Sequence, residues 1–414
     1  MVYVCDAIMG SGKSSAAIAY MNERPDRRYV YITPYLDEAK RIRDGCPSLE
    51  FAEPSDKIPE FNWKKLEHTR YLLENGYNIT STHAAFRAYT PDMLENIRKW
   101  GYTLLMDEAV DVFCDTDFSG SDVKVLLDGG YIEGDQDSGY HLTGKEYEAG
   151  RLEDLFQMLR CNNLLPVESS GSGTSGMKYY YWAMPKDVLL SFSDVIIMTY
   201  LFDDCELKYF LDMNAIRFSR LYVNHDKQGY YFIDKDIWRP EYVKSLHDKI
   251  HVFDNKKLNA IGDNRWALSA AWFKRKPSGL KTLKNNLFNF FHNYMHARAD
   301  DILWSTYDGS VKAVRGRGFY SRNDVFNLRA SNKYRDVHYL AYCVNVFASP
   351  PKVHFFARKG VSYNEEAYAL SIMVQWIWRS AIRDGEEVYI YIPSRRMREL
   401  LINWIDNLQK EIEE

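Results

Sequence analysis

The stretch AIMGSGKSS, Ala7 to Ser15, holds the residue types with the plainest chemical purpose in this chain. Gly10 and Gly12, with Ser11 between them, let backbone N–H groups turn inward around phosphate oxygens. Lys13 brings a point charge for terminal phosphates, the Ser14 hydroxyl suits a magnesium ion, and Ser15 continues the cradle into a helix. Ala7 stands where the phosphate-loop pattern has its first glycine. A second set lies in LLMDEAV, Leu104 to Val110. There Asp107 can hold magnesium through water, and Glu108 can orient and deprotonate a water for attack on a γ-phosphate. A third is QWIWRSAIR, where Gln375, Arg379 and Arg383 stand four residues apart on one stripe of a helix. Planar guanidinium groups in such a row suit the charge of a phosphoryl transition state. Each set has a plain alternative: a surface loop, an acidic strand end, a solvated helix face.

Elements must place these groups. VYVC (Val2–Cys5) reads as a short buried strand and KSSAAIAYMNE as the helix after the loop, so the helix N-terminus faces the anion. YTLLMDEAV reads as an apolar strand that delivers Asp107 and Glu108 to the carboxyl edge of a sheet, where nucleotides bind in open α/β folds. RRYVYITPY, YNITSTHAAF and DVIIMTYLF read as further strands. TPDMLENIRKWG has Thr90 as N-cap, Pro91 at the first helical position and Gly101 at the end. Strands alternating with helices predict mostly parallel sheets covered on both faces. RLYVNHDKQGYYFID (Arg220–Asp234) predicts a hairpin. Residues 111–150 read as an acidic surface excursion, and ESSGSGTSG (Glu168–Gly176) as a flexible linker.

The second half begins the alternation again. LKTLKNNLFNFFHNYMHA predicts one long helix, DDILWSTY a strand, and VFNLRASNKY (Val325–Tyr334) a strand running into a loop. Tyr363–Gly385 predicts a helix, EEVYIYIP a strand, and the last 21 residues a closing helix. This half has no phosphate loop of its own. The α/β chain therefore divides into domains at 1–240 and 241–414, with a nucleotide expected in the cleft between them.

Composition sets the bounds. A chain of 414 residues with 46% hydrophobic and 27% charged residues is that of a globular protein, expected in the cytoplasm. No apolar run reaches the roughly 18–20 residues that span a bilayer, so no membrane partner is expected. A net charge of -4 does not by itself point to nucleic acid. The six scattered cysteines form neither a disulfide framework nor a zinc site. Arg275, Lys276, Arg315 and Arg317 lie beside Trp272 and Trp304, as either a groove with stacking platforms or a solvated basic face.

Taken together and in order, these stretches resemble a superfamily-2 helicase of the kind phages encode, a DEAx-box form with two RecA-like domains. AIMGSGKSS matches motif I, ITPYLDEAKRI motif Ia, TSTHAAF motif Ib and LLMDEAV motif II. IIMTYLF stands at motif III, VFNLRASNKY at motifs IV–V, and QWIWRSAIR resembles motif VI. The resemblance implies ATP with magnesium as cofactors and an arginine finger, a role that falls on Arg379 ahead of Arg383. It implies strand-phosphate contacts from Thr33, Thr82 and His83, and from Asn327, Arg329 and Asn332. It also implies single-stranded or forked DNA as partner, with RNA left open, and replisome or loader proteins beside it. The glutamine motif that reads adenine in many relatives has no counterpart before the loop, so base selectivity is unassigned. Two other readings stay open: a nucleotide-gated clamp without unwinding, and a nucleoside kinase that pairs SGKS with DEA.

Overall fold

The structure, a computed structural model, describes residues 1–413 apart from 35, 117, 136–138, 146, 148–149, 151, 153–154, 157–158, 161–163, 169–177, 276 and 328–332. The linker read at Glu168–Gly176 falls, beyond Glu168, outside the described residues. The chain divides into two compact units: Met1–Ile8, Gly12–Ile237 and Ser349–Tyr363 form one, and Met9–Ser11, Trp238–Ala348 and Asn364–Glu414 the other. Among the described residues no helix is long and apolar enough to cross a membrane.

Short β-branched and aromatic runs build the first unit's sheet. They are β1 (Val2–Asp6), β2 (Tyr29–Thr33), β3 (Ile79–Thr82), β4 (Thr103–Asp107) and β10 (Asp194–Thr199), with β11 (Phe218–Asp226) and β12 (Gly229–Ile233). Their order is β12-β11-β1-β10-β4-β2-β3, and every pair is parallel except the β11–β12 hairpin. β2 and β4 are buried almost throughout, as a sheet covered on both faces requires. The helix Pro91–Trp100 starts after Thr90 with Pro91 at its head and stops at Gly101, whose φ of 64° suits a residue without Cβ. The hairpin also forms, with its turn at Asp226–Gly229.

Residues 111–150 are no mere surface excursion. They supply β5 (Phe113–Asp115), β6 (Ile132–Asp135) and β7 (Gly139–Leu142), which join β8 (Leu164–Glu168) and β9 (Lys178–Ala183) in an antiparallel sheet of order β5-β9-β8-β7-β6. Val123, Leu126, Ile132, Tyr140, Leu155 and Leu164 form its own small core. The apolar residues are too sparse among acids and glycines to show a period, yet antiparallel pairing gathers them on one face.

The second unit's sheet is wholly parallel: β13 (Ile250–Val252), β14 (Ile302–Ser305), β15 (Tyr339–Tyr342) and β16 (Val388–Tyr391), in order β13-β16-β15-β14. The long helix expected over 280–297 is an α-helix from Pro277 to Phe288 that widens into a π-helix over Asn289–Tyr294. No strand forms at Val325–Asn327, which run as a loop and turn. Trp304 lies inside β14 with no exposed surface, its indole N–H bonded to the Phe319 carbonyl at 2.6 Å, so it is no stacking platform.

The helix expected over Tyr363–Gly385 is shorter, Glu365–Ile377. Its last turn tightens: the N–H groups of Arg379 and Ser380 bond to the carbonyls of Trp376 and Ile377 at 3.1 Å, three residues back. The Ser380 hydroxyl also bonds to the Ile377 carbonyl at 2.5 Å, and the Ala381 N–H turns away to Val337 at 3.0 Å. Gln375 is therefore on the helix, Arg379 just past its end, and Arg383 on a separate 3₁₀ turn, Ala381–Asp384. The single helical stripe read from their spacing does not form.

Candidate functional site

β1 ends at the loop that leads into α1 (Lys13–Asn22), and the ladder to β10 continues one residue further, from the Ala7 N–H to the Thr199 carbonyl at 3.0 Å. Gly10 and Gly12 take φ of 80° and 87°, the left-handed region that turns N–H groups inward. A Cβ on Gly12 would also lie 2.2 Å from Tyr230 of β12, so glycine is required there twice over. Lys13 Nζ donates to the Ala7 and Ile8 carbonyls of the same loop. Burial pushes its pKa down, against the pull of Cys5, Asp107, Glu108 and Asp6. An ammonium held this way gains from phosphate oxygens, which restore the negative partners that burial removes. The Ser11 hydroxyl is 2% exposed and has no hydrogen-bond partner among the described residues, a cost that a phosphate oxygen would relieve.

Two strands away, β4 brings Asp107 and Glu108 to the same carboxyl edge. The Asp107 carboxyl is pushed up to about 7, first by burial and then by Glu38 and Glu108, while Lys13 and Arg41 pull it down. A divalent cation would reverse that push by supplying the missing positive charge. Among the described residues no group of three or more His, Cys, Asp or Glu could cage a metal. Magnesium fits such a place, since it keeps several waters and takes one or two protein oxygens beside phosphates. Glu108 has φ of 63°, rare for a residue with a side chain, and its N–H bonds to the Met198 carbonyl at 2.8 Å. Backbone strain of this kind gathers at functional sites.

Thr33 ends β2 with its hydroxyl buried and without a partner among the described residues. Thr82 ends β3 and caps the short helix His83–Phe86 by accepting the Ala85 N–H at 3.3 Å. His83 hydrogen-bonds through Nε2 to the Asp107 carbonyl at 2.9 Å, which ties the β3 turn to the acidic strand. These residues thus share one sheet edge with the phosphate loop. In the second unit Arg379 is 5% exposed, Gln375 and Arg383 are half-buried, and Asn327 is exposed. Arg329 and Asn332 lie outside the described residues.

Several groups at these edges escaped sequence reasoning. Arg41 of α2 (Leu36–Gly45) donates to Ser15 Oγ at 3.0 Å and to Glu38 at 2.9 Å, so α2 lends both charges to the Asp107 region. The i, i+3 spacing of Glu38 and Arg41 was the available signal. Asp6, last in β1, accepts the Phe202 N–H at 3.0 Å and faces Arg220. Ser305 and Thr306, at the carboxyl end of β14, carry buried hydroxyls with no partner among the described residues.

Comparison with known proteins gives a consistent picture. Residues 244–405 match the family described as the YonV C-terminal Rossmann-like domain. The whole chain is similar to the SPbeta prophage-derived protein YonV of Bacillus subtilis (strain 168), 34% identical over 98% of this chain and 99% of that one. Among solved structures it is similar to one of apo XPD, with a TM-score of 0.50, 12% identity, and 97% of this chain and 95% of that chain covered. The fold it shares with that structure is α/β, with a mostly parallel sheet in each of the two units.

Proposed function

The chain belongs to the YonV family, and we propose that it is an NTP-driven motor on nucleic acid, DNA ahead of RNA, that couples hydrolysis to strand separation. The prophage origin of its relative supports a place in phage DNA replication or recombination. The observation that carries the reading is the carboxyl edge of one sheet, where the phosphate loop with Lys13 stands two strands from Asp107 and the left-handed Glu108.

In this reading the loop N–H groups, Ser11 and Lys13 hold the phosphates of ATP. Ser14 and Asp107 hold magnesium, which when bound neutralises phosphate charge. Glu108 takes a proton from water as the water oxygen bonds to the γ-phosphorus. The bond from that phosphorus to the bridging oxygen breaks, and ADP leaves with the electron pair. Arg379, from the second unit, meets the charge that spreads over the transferring phosphoryl group, with Gln375 and Arg383 as its neighbours in the role. Thr33, Thr82 and His83, with Asn327, Arg329 and Asn332, hold strand phosphates without reading sequence. In this reading a strand held at His83 acts on the acid through the His83 bond to the Asp107 carbonyl.

The test is ATP turnover measured with no polynucleotide, single-stranded DNA, forked duplex DNA and RNA. The expected result is turnover stimulated by a nucleic acid and lost in Glu108→Gln, with ATP binding retained. Turnover indifferent to Glu108→Gln points instead to a clamp, and phosphate transfer to thymidine points to a kinase.

A further inference from the structure

The second unit holds an indole in water and builds a buried frame to keep it there. Trp266 is 59% exposed. The side-chain amide of Asn345, itself fully buried, donates to the carbonyls on either side of it, Arg265 at 2.8 Å and Ala267 at 2.9 Å. The Asn345 N–H adds a bond to Leu268, whose φ of 62° bends the loop outward. Asn264 Oδ1 accepts the Trp266 N–H at 2.9 Å. The indole rests on Phe347, ring centroids 4.8 Å apart, and the Arg396 guanidinium backs Phe347 at 4.5 Å. Arg396 is fixed in turn by Asn345 Oδ1 at 3.0 Å and the Val346 carbonyl at 2.7 Å.

Beside this loop opens a pocket of about 360 Å³ whose lining includes Trp266, Trp272, Asn264, Ser269 and Arg275 over a floor of alanines. Trp272 is also fixed: it lies against Gly279, where a Cβ would come within 2.5 Å of its ring. Arg275 is exposed. Two indoles packed from behind and an exposed guanidinium are the parts that bind an unstacked base and its phosphate. An exposed tryptophan costs apolar hydration, and a buried side-chain amide with three bonds holds the backbone on both sides of it in place.

We propose that the Trp266–Trp272 pocket takes a base of single-stranded nucleic acid, with Arg275 on the adjoining phosphate. The inference rests on the nucleic-acid reading above and adds to it a stacking site outside the strand-phosphate residues. Stacking carries no donor–acceptor code, so the pocket grips a strand with little sequence preference.

The experiment measures the affinity of the full chain for a 15-mer of thymidylate, for an abasic 15-mer with the same phosphates, and for AMP. Trp266→Ala is expected to weaken the thymidylate strand by about 5- to 100-fold, leave the abasic strand unchanged, and leave ATP turnover without nucleic acid unchanged. Trp266→Phe is expected to restore most of the loss. Equal losses on both strands, or none, overturn the proposal; unchanged oligonucleotide binding is also the outcome if the pocket serves a protein. AMP binding that depends on Trp266 while strand binding does not makes it a free-nucleotide pocket and likewise overturns it. If the wild-type chain binds no strand at all, the nucleic-acid reading fails first and the pocket assignment falls with it.

Discussion

The carboxyl edges of the two parallel sheets make an instructive pair. The edge of the seven-stranded sheet carries a glycine loop, a lysine whose charge is disfavoured by burial, and a carboxyl pushed up to about 7. Each of those groups is placed where a triphosphate and a divalent cation would relieve it. In the second unit the same edge carries no such loop. It offers buried hydroxyls at Ser305 and Thr306, the amide of Asn345, and a tryptophan held in solvent. One architecture thus presents two different sets of groups, because backbone topology fixes where a strand-end site lies and the residues there fix its chemistry. Electrostatic tension marks the first edge, and packing of aromatic rings marks the second.

The contrast can be broken by mutation. The largest effect is expected from Arg379→Ala: stimulated ATP turnover falling by roughly 10³-fold or more with ATP binding kept, as loss of an arginine finger gives. Retained turnover would leave the second unit without a part in the chemistry. Glu108→Gln should cost about 10²–10⁴-fold in turnover, again with binding kept, so that steady-state turnover beside equilibrium ATP binding separates it from Lys13→Ala, which is expected to lose both.

Stability sharpens the comparison further. Within the first unit, Lys352 and Glu206 form a buried pair at 2.7 Å that Tyr363 completes, holding the helix Pro350–Arg358. Lys352→Ala leaves the largely buried Glu206 carboxylate without its cation, with the Tyr363 hydroxyl still bonded to it, and should cost about 3 kcal/mol in denaturant unfolding, detected as loss of the first unit before the second. At the second edge, Asn345→Ala strands the Arg265 and Ala267 carbonyls and removes one acceptor from the Arg396 guanidinium. About 2–4 kcal/mol is expected there, together with the strand-binding phenotype of Trp266→Ala. The smallest effect belongs to Arg335→Ala. Its bridge to Asp384 is exposed, so the unfolding midpoint should not move measurably.

The first edge was legible because its information is local. Gly10, Gly12 and Lys13 fall within four residues, and Asp107 and Glu108 are adjacent on a strand whose apolar run announces it. The hairpin and the capped helix Pro91–Trp100 were legible for the same reason, since a turn or a cap is written in a few neighbouring residues. The row Gln375, Arg379 and Arg383 misled because helical spacing says nothing of where a helix stops. There the Ser380 hydroxyl donates to the Ile377 carbonyl, and the Val337 carbonyl, more than 40 residues away, captures the next N–H. The small antiparallel core and the burial of Trp304 were hidden likewise, as each depends on strands distant in sequence.

What the sequence alone determined is the alternation of strands and helices and which residues stand at the ends of β1 and β4, since periodicity and short motifs are properties of contiguous residues. Only the tertiary structure decided that Trp266 stays in water while Trp304 does not, that α2 lends charge to Asp107, and that the arginine row is broken. Burial and electrostatic environment are set by atoms brought together from far along the chain, and no local pattern encodes them.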